Sequence, residues 1–204
     1  MLRWIKSEIP EGTSGNWKVE KFTVDKNEAK VHNLRCAINA HSAGREIEEG
    51  VYTQLKRNGE IVMSDTPAEL KDFKWFISMA EGHVLVSGLG LVTQALIYKD
   101  SVKSVTIIEI SPDVTKLVAP HFSTNKLCII EGNAKNVLLK DRIKSLEIDR
   151  FDFAWHDIWD NICSDNLEEM KQLRKRFCRI VRSNRQYCWC ETVLKRMKTS
   201  NNQE

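Results

Sequence analysis

The sequence lacks the features that mark membrane, fibrous and low-complexity proteins. It has only four prolines and nine glycines among 204 residues, which excludes a collagen-like or low-complexity chain. No apolar run approaches the roughly 20 residues that a membrane-spanning helix needs. The first residues lack the apolar stretch of a secretory leader. With 42% hydrophobic and 29% charged residues, the chain is expected to be globular, with no membrane partner.

Clustered cysteine pairs are also absent. None of the six cysteines forms the CxxC pair typical of structural zinc sites, and the Cys188-Trp189-Cys190 motif has no partner pair. We therefore predict no metal site. Free thiols fit a reducing compartment, so we expect a cytoplasmic location.

The net charge of +3 is spread unevenly along the chain. Residues 171–204 carry +8, whereas residues 1–170 carry −5. A basic segment on an acidic body indicates either nucleic-acid binding or a solvated helix face. We favour the helix face and keep nucleic acid as a candidate partner of residues 171–198.

The N-terminal part, residues 1–80, is predicted to be a small β-rich unit closed by a helix. The alternating run Trp17–Val24 predicts a strand. Asn58-Gly59 between two further apolar runs predicts a hairpin, because the tight turn needs positive φ at both central residues. Thr66-Pro67-Ala68-Glu69 predicts a helix start with a capping box, and the apolar stripe continues to Ala80.

Strands alternate with helices in residues 81–204. The predicted strands are 83–87, 102–110, 127–130, 151–156 and 187–190, and the predicted helices are 91–98, a short one after 112, 133–139 and 166–182. Unbroken apolar strands in this order indicate a parallel sheet with both faces covered. The fold class is therefore α/β, a Rossmann-like doubly wound, mostly parallel sheet that is shortened at its C-terminal end. Ligands are expected at the carboxyl edge of such a sheet.

Two motifs point to that edge. Gly88-Leu89-Gly90 stands between a strand and a helix, where backbone amides can approach a ligand. Glu109 ends the second strand, 19 residues after Gly90, and an acid there can accept hydrogen bonds from both ribose hydroxyls. The alternatives are a tight turn without a ligand and an exposed charge at a strand end.

Four segments together resemble the successive motifs of class I S-adenosylmethionine-dependent methyltransferases. They are Val84–Gly90, Val105–Asp113, Ile130–Ala134 and Phe151–Asp157. Within this superfamily the sequence is most similar to spermidine synthases, over about residues 50–160. Two further strings, Met63–Glu69 and Trp155–Trp159, resemble short methyltransferase-like proteins of bacteriophages.

The resemblance implies a site for S-adenosylmethionine. Gly88 and Gly90 would hold the methionine part, Glu109 the ribose and Asn133 the adenine. Their motif neighbours complete the implied cofactor site: Ser87, Leu89, Ile110 and Ala134.

The resemblance also implies an acceptor side. Asp157 would orient and deprotonate the acceptor, and Asp160 would supply a second acid. His156 is a candidate base near neutral pH, or else a core histidine. Trp155 and Trp159 could stack on a ligand, or belong to the core.

Three functions remain open at this point. The first is methyl transfer to an unknown acceptor, small or macromolecular. The second is aminopropyl transfer, as in spermidine synthases, whose N-terminal hairpin units often form dimer contacts, so a homodimer is expected by resemblance. The third is a non-catalytic protein that uses the same fold to bind cofactor or nucleic acid.

Overall fold

A four-stranded antiparallel sheet forms the N-terminal part of the computed structural model, which describes residues 7–38, 45–122, 124–136 and 146–201. Its strands lie side by side in chain order: β1 (Gly12–Ser14), β2 (Trp17–Val24), β3 (Gly50–Arg57) and β4 (Glu60–Ser64). The predicted turn between β3 and β4 is confirmed, because Asn58 and Gly59 have φ of 53° and 87°.

Helix α1 (Lys26–Ile38) connects β2 to β3 and is a helix that the sequence analysis missed. The side chains of Val31, Leu34 and Ile38 are exposed and the buried residues are the small Ala29 and Cys36, so no stripe of large apolar residues reveals the helix. Its start does carry a signal: Asp25 Oδ1 accepts from the Glu28 amide at 2.9 Å, and the Glu28 carboxylate accepts from the Asp25 amide at 2.9 Å. This reciprocal pair is a capping box.

Helix α2 (Pro67–Met79) begins with proline at its first turn, as predicted. The predicted capping box at this point is wrong, because the Thr66 side chain makes no cap hydrogen bond. The Glu69 carboxylate instead accepts from the amide and hydroxyl of Ser64, at 2.8 and 2.9 Å. Glu69 thus ties the helix to the last residue of β4.

The second sheet has five strands, all parallel, in the order β7-β6-β5-β8-β9. The strands are β5 (Gly82–Ser87), β6 (Val102–Glu109), β7 (Leu127–Glu131), β8 (Phe153–His156) and β9 (Gln186–Cys188). The helices that connect or follow them are α3 (Leu91–Ile97), α4 (Pro112–Val118), α5 (Asn166–Phe177) and α6 (Glu191–Asn201). This is a Rossmann-like doubly wound α/β fold, as the strand and helix pattern predicts.

Two of the predicted helices differ from the structure. The helix predicted over 166–182 is α5, and it ends at Phe177. Val181 forms a β-bridge with Phe151, so the chain must be extended there. Of the predicted helix 133–139, residues 134–136 form a turn, and residues 137–139 lie outside the described part of the chain.

Apolar residues cover both faces of the parallel sheet. Phe76 and Leu96, from α2 and α3, lie in the core on one face, to which the N-terminal sheet contributes Val19. Leu173 and Leu194, from α5 and α6, lie in the core on the opposite face. Since the strand order reverses between β5 and β8, the crevice for a ligand opens at their carboxyl ends.

Candidate functional site

A cleft of about 320 Å³ lies at this carboxyl edge, between the parallel sheet and the N-terminal sheet. Its volume is at the lower end of the range of small-molecule sites, about 300–1,000 Å³. The structure brings most of the predicted site residues together there: Gly88, Leu89, Gly90, Glu109, Ile110, Asn133, Ala134, Asp157 and Asp160.

The glycine loop is shaped by a close approach of the backbone. Gly88 has φ of 97°, a conformation that side chains rarely adopt. A Cβ at Gly88 would lie 2.2 Å from the carbonyl oxygen of Asp157. The Asp157 amide donates to the Ser87 carbonyl at 2.9 Å. Glycine at position 88 therefore lets the loop after β5 and the loop after β8 meet at the floor of the cleft.

Glu109 is a buried acid that joins two loops at this floor. Its Oε2 accepts from the Leu89 amide at 2.7 Å, and its Oε1 accepts from the Ser111 amide at 2.7 Å. The side chain is only 7% exposed. A carboxylate oxygen has further acceptor capacity beyond one amide, so Glu109 can still accept from hydroxyl groups of a ligand.

Beyond Glu109 the cleft continues along β7. Asn133 follows β7, and its Oδ1 accepts from the Lys135 amide at 2.9 Å, which fixes the orientation of the side chain. Ile110 and Ala134 add apolar surface to the wall. Trp159 lines the same wall, and its indole N–H donates to Glu169 at 2.9 Å. This end combines apolar surface with an amide, a chemistry that suits a heterocyclic base.

Asp157 is an acid of the cleft whose pKa is raised. Burial raises the pKa of Asp157 to about 7, with added repulsion from Glu69 and Asp72, while the indole N–H of Trp155 opposes the rise. The residue as a whole is half-buried and lines the cleft. A carboxyl group that titrates near neutral pH can accept a proton from a bound acceptor and release it again.

Asp160 lies at the mouth of the cleft and already has a partner. Its Oδ2 accepts from Nη2 of Arg57 at 2.6 Å. Arg57 belongs to β3, so this ion pair joins the N-terminal sheet to the loop after β8.

The structure does not bring Ser87 and His156 into the cleft. Both are fully buried, with the Ser87 hydroxyl 2.9 Å from Nδ1 of His156 and Nε2 of His156 3.2 Å from Oε1 of Gln186. Burial lowers the pKa of His156 to about 4, so the ring is neutral at physiological pH. It stacks on Phe177. His156 is therefore a core histidine in this fold and not a base that faces the cleft.

The two tryptophans of the predicted site, Trp155 and Trp159, lie in different surroundings. Trp155 is 1% exposed and packs against Phe76, with ring centroids 5.0 Å apart, so it belongs to the core. Trp159 remains at the cleft. Residue 155 lies within β8, whose residues are all buried because both faces of the sheet are covered, whereas residue 159 lies beyond the end of this strand.

The cover of the cleft is the part that the sequence analysis missed. It comes from the N-terminal sheet, and its members are Trp17, Leu55, Arg57, Val62 and Met63. Met63 lies against the glycine loop, since a Cβ at Gly90 would lie 2.5 Å from its Cε. The alternating apolar residues of β2 and β3 predict that one face of these strands is buried. They do not indicate which part of the molecule packs against that face.

The basic segment 171–198 is not a free tail. Helix α5 buries Met170, Leu173 and Phe177 against the sheet. Arg174 and Lys195 both pair with Glu191. The segment therefore covers the sheet, and its remaining basic side chains form a solvated face, while nucleic-acid binding stays a prediction.

The described ranges contain neither a metal-binding cluster nor a helix that could span a membrane. No group of three or more His, Cys, Asp or Glu side chains there could hold a metal ion. No helix in the same ranges is long and apolar enough to cross a bilayer.

No protein-family model matches the chain, and no curated protein matches it. Among solved structures, it is similar to a chain of the complex between the Haloferax volcanii Trm112 methyltransferase activator and a protein assigned as a methyltransferase. The identity is 16% and the TM-score is 0.44, and the alignment covers 58% of this chain and 51% of that chain. Spermidine synthase from Thermotoga maritima is similar with 14% identity, a TM-score of 0.41, and coverage of 85% and 52%.

A spermidine synthase in complex with the transition-state analogue AdoDATO is similar with 13% identity, a TM-score of 0.36, and coverage of 72% and 46%. The chain thus spans about half the length of these neighbours. Similarity this distant does not indicate an activity. The fold assignment accordingly rests on the order and direction of the strands.

Proposed function

We propose that this chain binds S-adenosylmethionine in the cleft and transfers its methyl group to an acceptor. The observation that carries the proposal is Glu109. It is a buried acid at the end of the second parallel strand, tied to the Leu89 amide of the glycine loop at 2.7 Å. A buried carboxylate at this position suits the paired hydroxyls of a ribose.

The rest of the cleft fits the other parts of the ligand. Gly88 lets the glycine loop lie against the Asp157 carbonyl, which shapes the floor on which the ligand would lie. Asn133 and Ala134 offer an amide and an apolar surface where the base would lie. When bound, S-adenosylmethionine supplies an electrophilic methyl carbon on a sulfonium centre.

Asp157 is the group that we propose for the acceptor. It lines the cleft at the carboxyl end of β8, beside the glycine loop. Its pKa of about 7 suits it to take a proton from the acceptor atom as that atom attacks. Asp160 is paired with Arg57 and is not assigned to the acceptor. Ser87 and His156 are left out of the proposed site.

Titration calorimetry with S-adenosylmethionine and S-adenosylhomocysteine tests the proposal. We expect both to bind, and Glu109→Gln to weaken both by about tenfold to a hundredfold, because hydrogen bonds to a charged group contribute about 1.5–3 kcal/mol. Glu131→Gln is a matched control. Glu131 is the register partner of Glu109 on β7, but it is exposed and does not line the cleft.

Absence of binding to the wild-type chain would overturn the proposal and favour a non-catalytic protein. Equal losses in the two glutamate variants would remove Glu109 from its role. Aminopropyl transfer is the alternative function. Titration with decarboxylated S-adenosylmethionine addresses it.

A further inference from the structure

Arg57 is a cation of the cleft that the proposed function has not used. It ends β3 opposite Trp17, its register partner on β2. Leu55, two residues earlier, packs on the core beneath the sheet, and Met63 on β4 reaches the glycine loop. Because residues two apart share a face of a strand, Arg57 lies on the face that covers the cleft.

The guanidinium of Arg57 is held at two points. Its Cζ lies 5.4 Å from the centroid of the Trp17 ring, and its Nη2 donates to Oδ2 of Asp160 at 2.6 Å. The contact with Trp17 is a cation–π interaction that helps to hold the group. The single nitrogen in the ion pair leaves further N–H donors of the fork for a second oxygen.

The bond to Asp160 is easily exchanged. The side chains of Arg57 and Asp160 are 40% and 59% exposed. Ion pairs of this exposure contribute about 0–1 kcal/mol. A carboxylate that binds both arms of the guanidinium forms a stronger interaction, so an anionic ligand can replace Asp160.

The positions of the cations that line the cleft indicate the end at which an anionic group of a ligand would bind. Arg57 and Lys135 are the cationic residues among those described as lining it. Lys135 stands beside Asn133 and is paired with Glu169 at 2.7 Å, at the end assigned to the base. Arg57 faces the loop that carries Asp157 and Asp160, next to the glycine loop. In the proposed orientation, this is the end of the donor that carries the amino acid.

We propose that Arg57 binds the α-carboxylate of S-adenosylmethionine in place of Asp160. The inference rests on the proposed function and deepens it, because a cation reserved for that carboxylate selects S-adenosylmethionine over its decarboxylated form. The chain would accordingly transfer methyl and not aminopropyl groups. The N-terminal sheet supplies the residue that makes this selection.

The test compares ligands that differ in the amino-acid part. S-adenosylhomocysteine carries the carboxylate, whereas 5′-methylthioadenosine keeps the nucleoside and thioether without it. We expect Arg57→Gln to weaken S-adenosylhomocysteine binding about tenfold, while 5′-methylthioadenosine binding changes less than about twofold. Asp160→Asn should strengthen S-adenosylhomocysteine binding by about twofold to fivefold, because it removes the competing carboxylate.

Arg182→Gln is the matched control. Arg182 makes a single ion pair with Asp152 at 2.8 Å, at the opposite edge of the sheet, and should alter neither affinity. Equal weakening of both ligands by Arg57→Gln, or no weakening of either, would overturn the inference and leave the proposed function intact. If the wild-type chain binds neither ligand, both the proposed function and this inference fail.

Discussion

The two walls of the cleft are built in different ways. On the side of the parallel sheet, the functional groups are set by the backbone: Gly88 lies against the Asp157 carbonyl, and Glu109 is held by amides of two loops. On the side of the N-terminal sheet, the wall is made of side chains, and Arg57 is joined to the opposite wall by one exposed ion pair. A fixed floor and an exchangeable cover suit a site that must bind a ligand and release it.

The largest contrast is expected between two glycines. Gly88→Ala should destabilise the fold by about 3 kcal/mol or more, because it combines a strained φ with overlap of backbone atoms. Gly59→Ala, in the β3–β4 turn, also has positive φ but meets nothing within 4 Å, so it should cost about 1–2 kcal/mol. Urea unfolding of both variants measures the difference. Equal losses would mean that the loop after β5 can shift away from Asp157, and that the floor is not fixed.

The pH dependence of stability should distinguish two neighbouring residues, Asp157 at the cleft and His156 in the core. Asp157 has a folded pKa of about 7 against its usual 3.8, so the folded chain holds the extra proton and stability falls as pH rises through this window. His156 has a folded pKa of about 4 against its usual 6.5, so the unfolded chain holds the extra proton and stability falls as pH drops from 6.5 to 4.

The two slopes oppose each other between about pH 4 and 6.5. Asp157→Asn should leave a positive slope of stability against pH in this range, and His156→Asn a negative one, each up to about 1.4 kcal/mol per pH unit. Urea titrations from pH 4 to 7.5 provide the slopes, which are independent of the constant cost of each substitution. Identical slopes in the two variants would contradict the assigned burial of these groups.

The smallest effect is expected in the N-terminal unit, at the start of α1. Asp25→Ala removes the acceptor for the amides of Asn27 and Glu28 and should cost about 1 kcal/mol. Asp100→Ala, at an exposed turn, serves as the control and should be nearly neutral. A loss well above that of a cap would show that α1 supports the cover of the cleft, and not only its own first turn.

The positions at strand ends were predictable because local rules place them. In a parallel sheet, all carboxyl ends meet at one edge, so Gly88, Glu109, Asn133 and Asp157 could be assigned to one site from their places after successive strands. The same logic fails one residue earlier. Ser87 and His156 are register partners, so their side chains meet inside the sheet packing, although both stand beside cleft residues in the sequence.

The sequence by itself determined the parallel strands, the hairpin at Asn58-Gly59 and the edge where chemistry is expected, because these depend on apolar periodicity and on the φ that glycine permits. Only the tertiary structure decided that the N-terminal sheet covers this edge. It also decided that Arg57 meets Asp160, 103 positions away, and that His156 is a neutral core residue. Such contacts depend on how separate elements pack together, and no local pattern encodes that.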